Sequence, residues 1–149
     1  MPHVEARRRF PVPVERGFDY ITDLENWPDY WPGLVRVDPS SAWADPGDRA
    51  RLTIRLLGRE VELELTLQRF ERYSRVEYTS VQRGLPDARH ARVFTAADDG
   101  FDYGIVVDYE PRSGLRGLLD RTVLRRGISR AVAQTLRNLE RELEPGRRD

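Results

Sequence analysis

One short run concentrates the groups able to do chemistry: Asp87-Ala88-Arg89-His90-Ala91-Arg92-Val93-Phe94. Residues two apart on an extended strand face the same side. A register that turns Phe94 into an apolar interior therefore carries Arg92 and His90 in with it. An imidazole and a guanidinium would then share one apolar space, the first suited to moving a proton or donating a hydrogen bond, the second to holding a carboxylate or enolate. His90 and Arg92 are accordingly the catalytic candidates, should the protein be an enzyme. Plainer readings compete. Arg92 can pair with a strand carboxylate such as Glu77, and His90 can cap a neighbouring carbonyl. The opposite register, with Ala91 and Val93 inward, removes both from the interior.

Little other chemistry is on offer. The absence of cysteine excludes disulfides, thiolate nucleophiles and thiolate zinc sites, and with only His3 and His90 no metal site or cofactor is expected. Walker loops and nucleophile elbows are absent as patterns. Every one of the 25 basic residues is Arg, balanced by 25 acidic residues, so DNA is not an expected partner. The balance is local: from Arg112 to Asp149 the chain carries +5 and the remainder -5. Arg121, Arg125, Arg126 and Arg130 offer weak contact with an anionic surface, or else a solvated helix face partly paired by Asp120 and Glu140. No apolar run approaches the ~18 residues of a membrane span. The opening Met1-Pro2-His3-Val4-Glu5 lacks a signal-peptide pattern, so a cytoplasmic protein is expected, as monomer or homodimer.

The elements that must position these residues follow from periodicity. Val4, Ala6, Arg8 and Phe10 share one face of a first strand, stopped by Pro11 and Pro13. Val14, Phe18, Ile21 and Leu24 then recur at helical spacing. Trp27, Tyr30 and Trp31 form an aromatic cluster between prolines, in a short helix that Asn26 is placed to cap; such a cluster either plugs the end of a core or rims a pocket. Six strands are predicted next: Leu34 to Trp43, interrupted by Asp38-Pro39, then Arg49 to Leu57, Glu60 to Phe70, Arg75 to Gln82, Arg89 to Ala97 and Phe101 to Glu110. Val61, Leu63, Leu65 and Leu67 alternate strictly with polar neighbours, the mark of an antiparallel sheet buried on one side. Asp98-Asp99-Gly100 signals a hairpin. From Gly114 to Glu144, after Ser113 as cap, a proline-free segment carries the stripe Val132, Leu136, Leu139 and Leu143. Gly127 inside it implies close approach of the sheet or room for a ligand.

The 149 residues fit one domain, 1–149, of α+β class. The final helix is the element long enough to cover the sheet, and a sheet curling around one helix leaves space between them. At this point the sequence resembles the START-like, or SRPBCC, superfamily, which includes bacterial polyketide cyclase/dehydrase and lipid-transport relatives. The resemblance spans nearly the whole chain. It rests on the run from Pro11 through Val14, Phe18, Tyr20, Ile21, Asp23, Asn26 and Trp27 to Pro28, then the strand series and the long helix. It implies a helix-grip fold, with a seven-stranded antiparallel sheet wrapped around the C-terminal helix, two short helices after strand one, and a deep apolar cavity. The glycine-rich loop of plant pathogenesis-related members is reduced here to Gly58.

The expected function is binding of an apolar or amphipathic small molecule of lipid, polyketide or isoprenoid type. Leu63, Leu65, Tyr78, Phe94, Tyr103, Ile105 and Val132 are the expected wall, with His90 and Arg92 as polar anchors. Two alternatives stand beside it. One is a cyclase/dehydratase-like enzyme acting without metal; the other is a partner-binding protein like the coenzyme Q-binding and ribosome-associated members of the superfamily.

Overall fold

Alternation of apolar and charged side chains builds a sheet with one dry and one wet face. The structure, a computed structural model, describes residues 3–56, 58–82, 87–109 and 121–144. In chain order it runs β1 (His3–Phe10), α1 (Val14–Thr22), a single 3-10 turn (Leu24–Asn26), α2 (Trp27–Tyr30), β2 (Leu34–Val37), β3 (Arg49–Leu56), β4 (Arg59–Glu71), β5 (Arg75–Val81), β6 (Ala88–Ala97), β7 (Gly100–Tyr109) and α3 (Arg121–Glu142). The seven strands form one antiparallel sheet in the order β1-β7-β6-β5-β4-β3-β2. Strands β2 to β7 are a meander, and β1 closes onto β7 with Val4 opposite Val107 and Phe10 opposite Phe101. The chain therefore passes from one sheet edge to the other through α1 and α2.

On the inner face of β4, Leu63, Leu65 and Leu67 are buried as their alternation requires. Strand β7 buries Phe101, Tyr103, Ile105, Val107 and Tyr109 on the same face. Helix α3 sets Val132, Leu136, Leu139 and Leu143 against this surface and packs on β1 and α2. Each fully buried leucine is worth about 2–3 kcal/mol of removed apolar surface. The outer face carries an arginine–carboxylate ladder: Arg51–Glu64 at 3.5 Å, Arg55–Glu60 at 3.6 Å, and Arg9 on Asp102 at 2.5 Å and Asp99 at 2.7 Å. These exposed pairs contribute little individually, but they consume charge locally.

Two glycines sit where no side chain fits. A Cβ on Gly100, at φ 155°, would lie 1.9 Å from the Phe10 carbonyl oxygen, so the β6–β7 turn can close under β1 only without one. At Gly17 a Cβ would meet the Phe101 ring at 2.2 Å, and glycine lets α1 lie flat on β7.

Several sequence expectations are corrected. Strand β2 stops at Val37 because Asp38 accepts from the Ser40 backbone (2.8 Å) and hydroxyl (2.7 Å), turning the chain before Trp43. Trp43 reaches the core from a loop, where Asp48 accepts from the amides of Ala44 (2.9 Å) and Asp45 (3.0 Å). Asn26 does not cap α2; its side-chain amide donates to the Tyr20 carbonyl at 3.1 Å. Gly127 is exposed, and a Cβ placed there would meet nothing within 4 Å, so close approach of the sheet is not its reason. The expected helix start, Ser113 to Asp120, lies outside the described residues. Among the described residues, no helix is long and apolar enough to cross a membrane.

Candidate functional site

A small cavity lies where the sheet, the short helices and α3 meet, with about 40 Å³ open to the centres of water-sized spheres. Its floor is Val76 and Tyr78 of β5 with Arg92 and Phe94 of β6. Helix α1 contributes Ile21 and Thr22, and α3 contributes Thr135. The remaining wall is aromatic: Trp27, Tyr30 and Trp31, with Trp43 from the loop before β3. These rings brace one another edge to face, Trp27 on Trp31 (5.2 Å) and on Trp43 (5.3 Å), and Trp43 on Tyr78 (5.3 Å). Their polar tips are anchored to one carbonyl, for the Trp27 indole N–H and the Tyr30 hydroxyl both donate to Ile21 O, at 2.9 and 2.7 Å.

Cross-strand register assembles the polar group. Tyr78 stands directly opposite His90, and the two rings stack at 4.5 Å and 8°. His90 Nε2 lies 2.9 Å from the Ser80 hydroxyl, whereas Nδ1 is buried without a partner among the described residues. One step along the face, Arg92 Nη2 donates to the Tyr78 hydroxyl at 2.8 Å. Arg92 as a whole is only partly buried, yet its Nη1 is shielded from solvent and has no hydrogen-bond partner among the described residues. In the core beside the cavity, opposite Phe94, the Tyr103 hydroxyl is likewise buried without a partner among the described residues.

Burial, followed by the nearby Arg92 charge, pushes the His90 imidazole down to about 3, so it is neutral at ordinary pH. Burial raises the phenols of Tyr78, Tyr103 and Tyr30, which stay protonated. Around Arg92, burial works against the charge while the Tyr78, Tyr103 and Tyr30 phenols support it, and the net direction is upward. The site is thus a permanent cation set among neutral hydroxyls and indoles.

The family's sequence profile, described as polyketide cyclase / dehydrase and lipid transport, matches residues 1–144. The chain belongs to this family. Its members' fold recurs in solved structures. A START superfamily protein from Mycobacterium smegmatis superposes with TM-score 0.79 at 11% identity, over 95% of this chain and 96% of that one. TTHA0849 from Thermus thermophilus gives 0.78 at 20% identity, over 95% and 97%. The di-domain ARO/CYC StfQ from the steffimycin biosynthetic pathway gives 0.78 at 14% identity, over 95% of this chain and 50% of that one. At these identities the likeness concerns the helix-grip fold alone. Among curated proteins no sequence match was found.

Of the residues expected to contact a ligand in this family member, Tyr78, Arg92 and Phe94 border the cavity. His90 shares their strand face and stacks on Tyr78 without bordering it. Leu63, Leu65, Tyr103, Ile105 and Val132 are buried in the core, outside the lining of the described cavity. Alternation gives the face of a strand but not the position along it, and the floor is only the stretch beneath α1 and α2. The aromatic cluster Trp27, Tyr30 and Trp31, visible in sequence, belongs to the wall, as do Trp43 and Thr135, which carried no such signal.

Two pairings are corrected. Glu77 does not meet Arg92: it stands opposite Ala91 on the outer face, held below the usual carboxylate range first by its hydrogen bond to Arg75, with Arg69 adding at 3.4 Å. Glu140 pairs with Arg8 of β1 and, among the described residues, with no arginine of its own helix. Arg125, Arg126 and Arg130 are exposed and have no ion-pair partner among the described residues, whereas Asp120 and the Arg121 side chain lie outside them.

Proposed function

We propose that this chain binds an apolar or amphipathic small molecule, of lipid, polyketide or isoprenoid type, between its sheet and α3. The observation that carries the reading is the aromatic-walled cavity with a guanidinium in its floor and, among the described residues, no carboxylate to pair it. Ligand sites are mostly apolar with a few placed polar groups, and this one has that composition. Its open volume of about 40 Å³ corresponds to roughly three waters, so with the walls as they stand it takes one end of such a molecule. Tyr78, Arg92 and Phe94 contact that end. His90, Leu63, Leu65, Tyr103, Ile105 and Val132 are the surfaces a longer ligand reaches if the site widens. Membership of a family described by lipid transport and polyketide cyclisation supports the same class.

Native mass spectrometry of freshly purified protein, set against its denatured mass and an organic extract, tests the reading. A reproducible extra mass of a lipid, polyketide or isoprenoid is expected. A clean apo mass with no uptake from a panel of such ligands overturns it.

One observation favours a second reading. His90 stacks on the Tyr78 ring and Arg92 donates to its hydroxyl, and each keeps one buried nitrogen without a partner among the described residues, which suits cyclisation or dehydration of a poly-carbonyl chain whose enolate Arg92 stabilises. His90→Ala or Arg92→Ala would then lower turnover far more than affinity.

A further inference from the structure

We propose that the molecule held at this site is a carboxylic acid, bound as its monoanion with the carboxylate on Arg92 and its apolar part against the tryptophans. This rests on the binding function above and adds the chemistry of the head group.

An account of donors and acceptors around the cavity leads there. Most polar groups on the helical side are already spent on backbone carbonyls. The Thr22 hydroxyl donates to Phe18 O and the Thr135 hydroxyl to Ala131 O, both at 2.8 Å, while Trp27 and Tyr30 donate to Ile21 O. The floor differs. Tyr78 uses its oxygen to accept from Arg92 Nη2, which leaves its own O–H to donate. Arg92 Nη1 is shielded from solvent and has no partner among the described residues. Tyr103 stands opposite Phe94, its ring 5.0 Å away, in the core beside the cavity and outside its lining.

The floor therefore presents a surplus of donors and one positive charge, with no carboxylate among the described residues to balance it. A buried donor without an acceptor costs free energy that a ligand oxygen would recover. The complement is an acceptor-only group with one negative charge. A carboxylate has that character, and its planar pair of oxygens matches a guanidinium. A phosphate brings a second charge and a tetrahedral third and fourth oxygen that one guanidinium in a space of about three waters does not match. The carbon next to the carboxylate then meets Trp27, Trp31 and Trp43, which suits an apolar chain or ring.

The test uses tryptophan emission, since three indoles border the cavity. The wild-type protein is titrated with decanoate, decanol and decyl phosphate below their aggregation thresholds. A charge-assisted hydrogen bond to Arg92 predicts that decanoate binds roughly 10- to 100-fold more tightly than decanol, and more tightly than the phosphate. Arg92→Met should bring decanoate down to the level of decanol measured on the same variant. Tyr78→Phe, a smaller change that keeps the ring and removes the phenolic donor, should lower the preference several-fold and serves if the Arg92 variant does not fold; an unchanged preference in it overturns the assignment. Equal binding of acid and alcohol by the wild type, or a preference that survives in Arg92→Met, overturns the head-group assignment while binding itself stands. Preference for the phosphate overturns it too. Failure of all three ligands to bind overturns both.

Discussion

Acid should expose the cost of keeping His90 uncharged. The imidazole is pushed from an ordinary 6.5 to about 3 in the folded chain, by burial and then by Arg92. Between those values the unfolded chain takes up a proton that the folded chain refuses, so stability falls as pH drops from about 6.5 and stops falling through this group near pH 3. One pH unit is worth 1.36 kcal/mol per proton, which gives an upper value of about 2 kcal/mol at pH 5 relative to pH 7. Because His90 keeps some solvent contact as a residue, a loss of about 1 kcal/mol or more is the expected result. Other groups titrate as well. His3, raised by hydrogen bonds to Asp108 and Glu5, acts in the opposite sense, its stabilisation being present below 6.5 and lost as pH rises. Glu77 and Asp102, both lowered, lose theirs in more acidic solution. The comparison that isolates His90 is therefore urea unfolding of the wild type against His90→Gln at pH 7.5, 6.5, 5.5 and 5.0. The variant should gain on the wild type steadily below pH 6.5. A stability difference that stays constant across this series would refute the claim that a neutral, confined imidazole sits beside Arg92.

Two backbone substitutions probe the fold that supports the site. Gly17→Ala would drive a methyl into the Phe101 ring, whose atoms lie 2.2 and 2.3 Å from the new carbon; overpacking of about 1–3 kcal/mol should outweigh the helix-propensity gain, and a wild-type urea midpoint would contradict the packing of α1 on β7. Gly127→Ala has open space around it on an exposed helical position, so it should stabilise the chain by about 0.5–1 kcal/mol without altering ligand affinity. A loss of affinity in that variant would show that the glycine makes room for the ligand after all.

What could be read from the sequence divides along physical lines. Strict alternation in Leu63, Leu65 and Leu67, the Asp98-Asp99-Gly100 turn and the stripe from Val132 to Leu143 each report a local period, and the strands, hairpin and helix they imply are present. The inward register of His90, Arg92 and Phe94 follows from the same period, anchored by one aromatic residue. Depth along a strand has no such signature. Leu63 and Ile105 share a face with Tyr78 and Arg92 yet sit elsewhere in the core, because the cavity is defined by where α1 and α2 cross the sheet. Trp43 was invisible as a wall residue since its position is set by the Asp38 and Asp48 turns, not by a strand. Glu77 shows the limit of proximity arguments: a carboxylate one residue from the opposite register point lies on the other side of the sheet.

The pairing of the first strand with the last carries a consequence for how the chain comes to be folded. His3 meets Asp108 and Phe10 meets Phe101, so β1 completes the sheet only after β7 exists. Closing a loop of that length costs on the order of 4 kcal/mol in chain entropy, and contacts so distant in sequence slow folding. During synthesis β1 leaves the ribosome with no partner for its edge, while the meander from β2 to β7 can zip up hairpin by hairpin. Its alternating Glu5, Arg7 and Arg9 keep one side of the waiting strand charged, which discourages pairing with another chain. Helix α3, packed on β1 and α2, then docks at the end, so Thr135 closes the cavity only after the β5–β6 floor and the α1–α2 wall are in place.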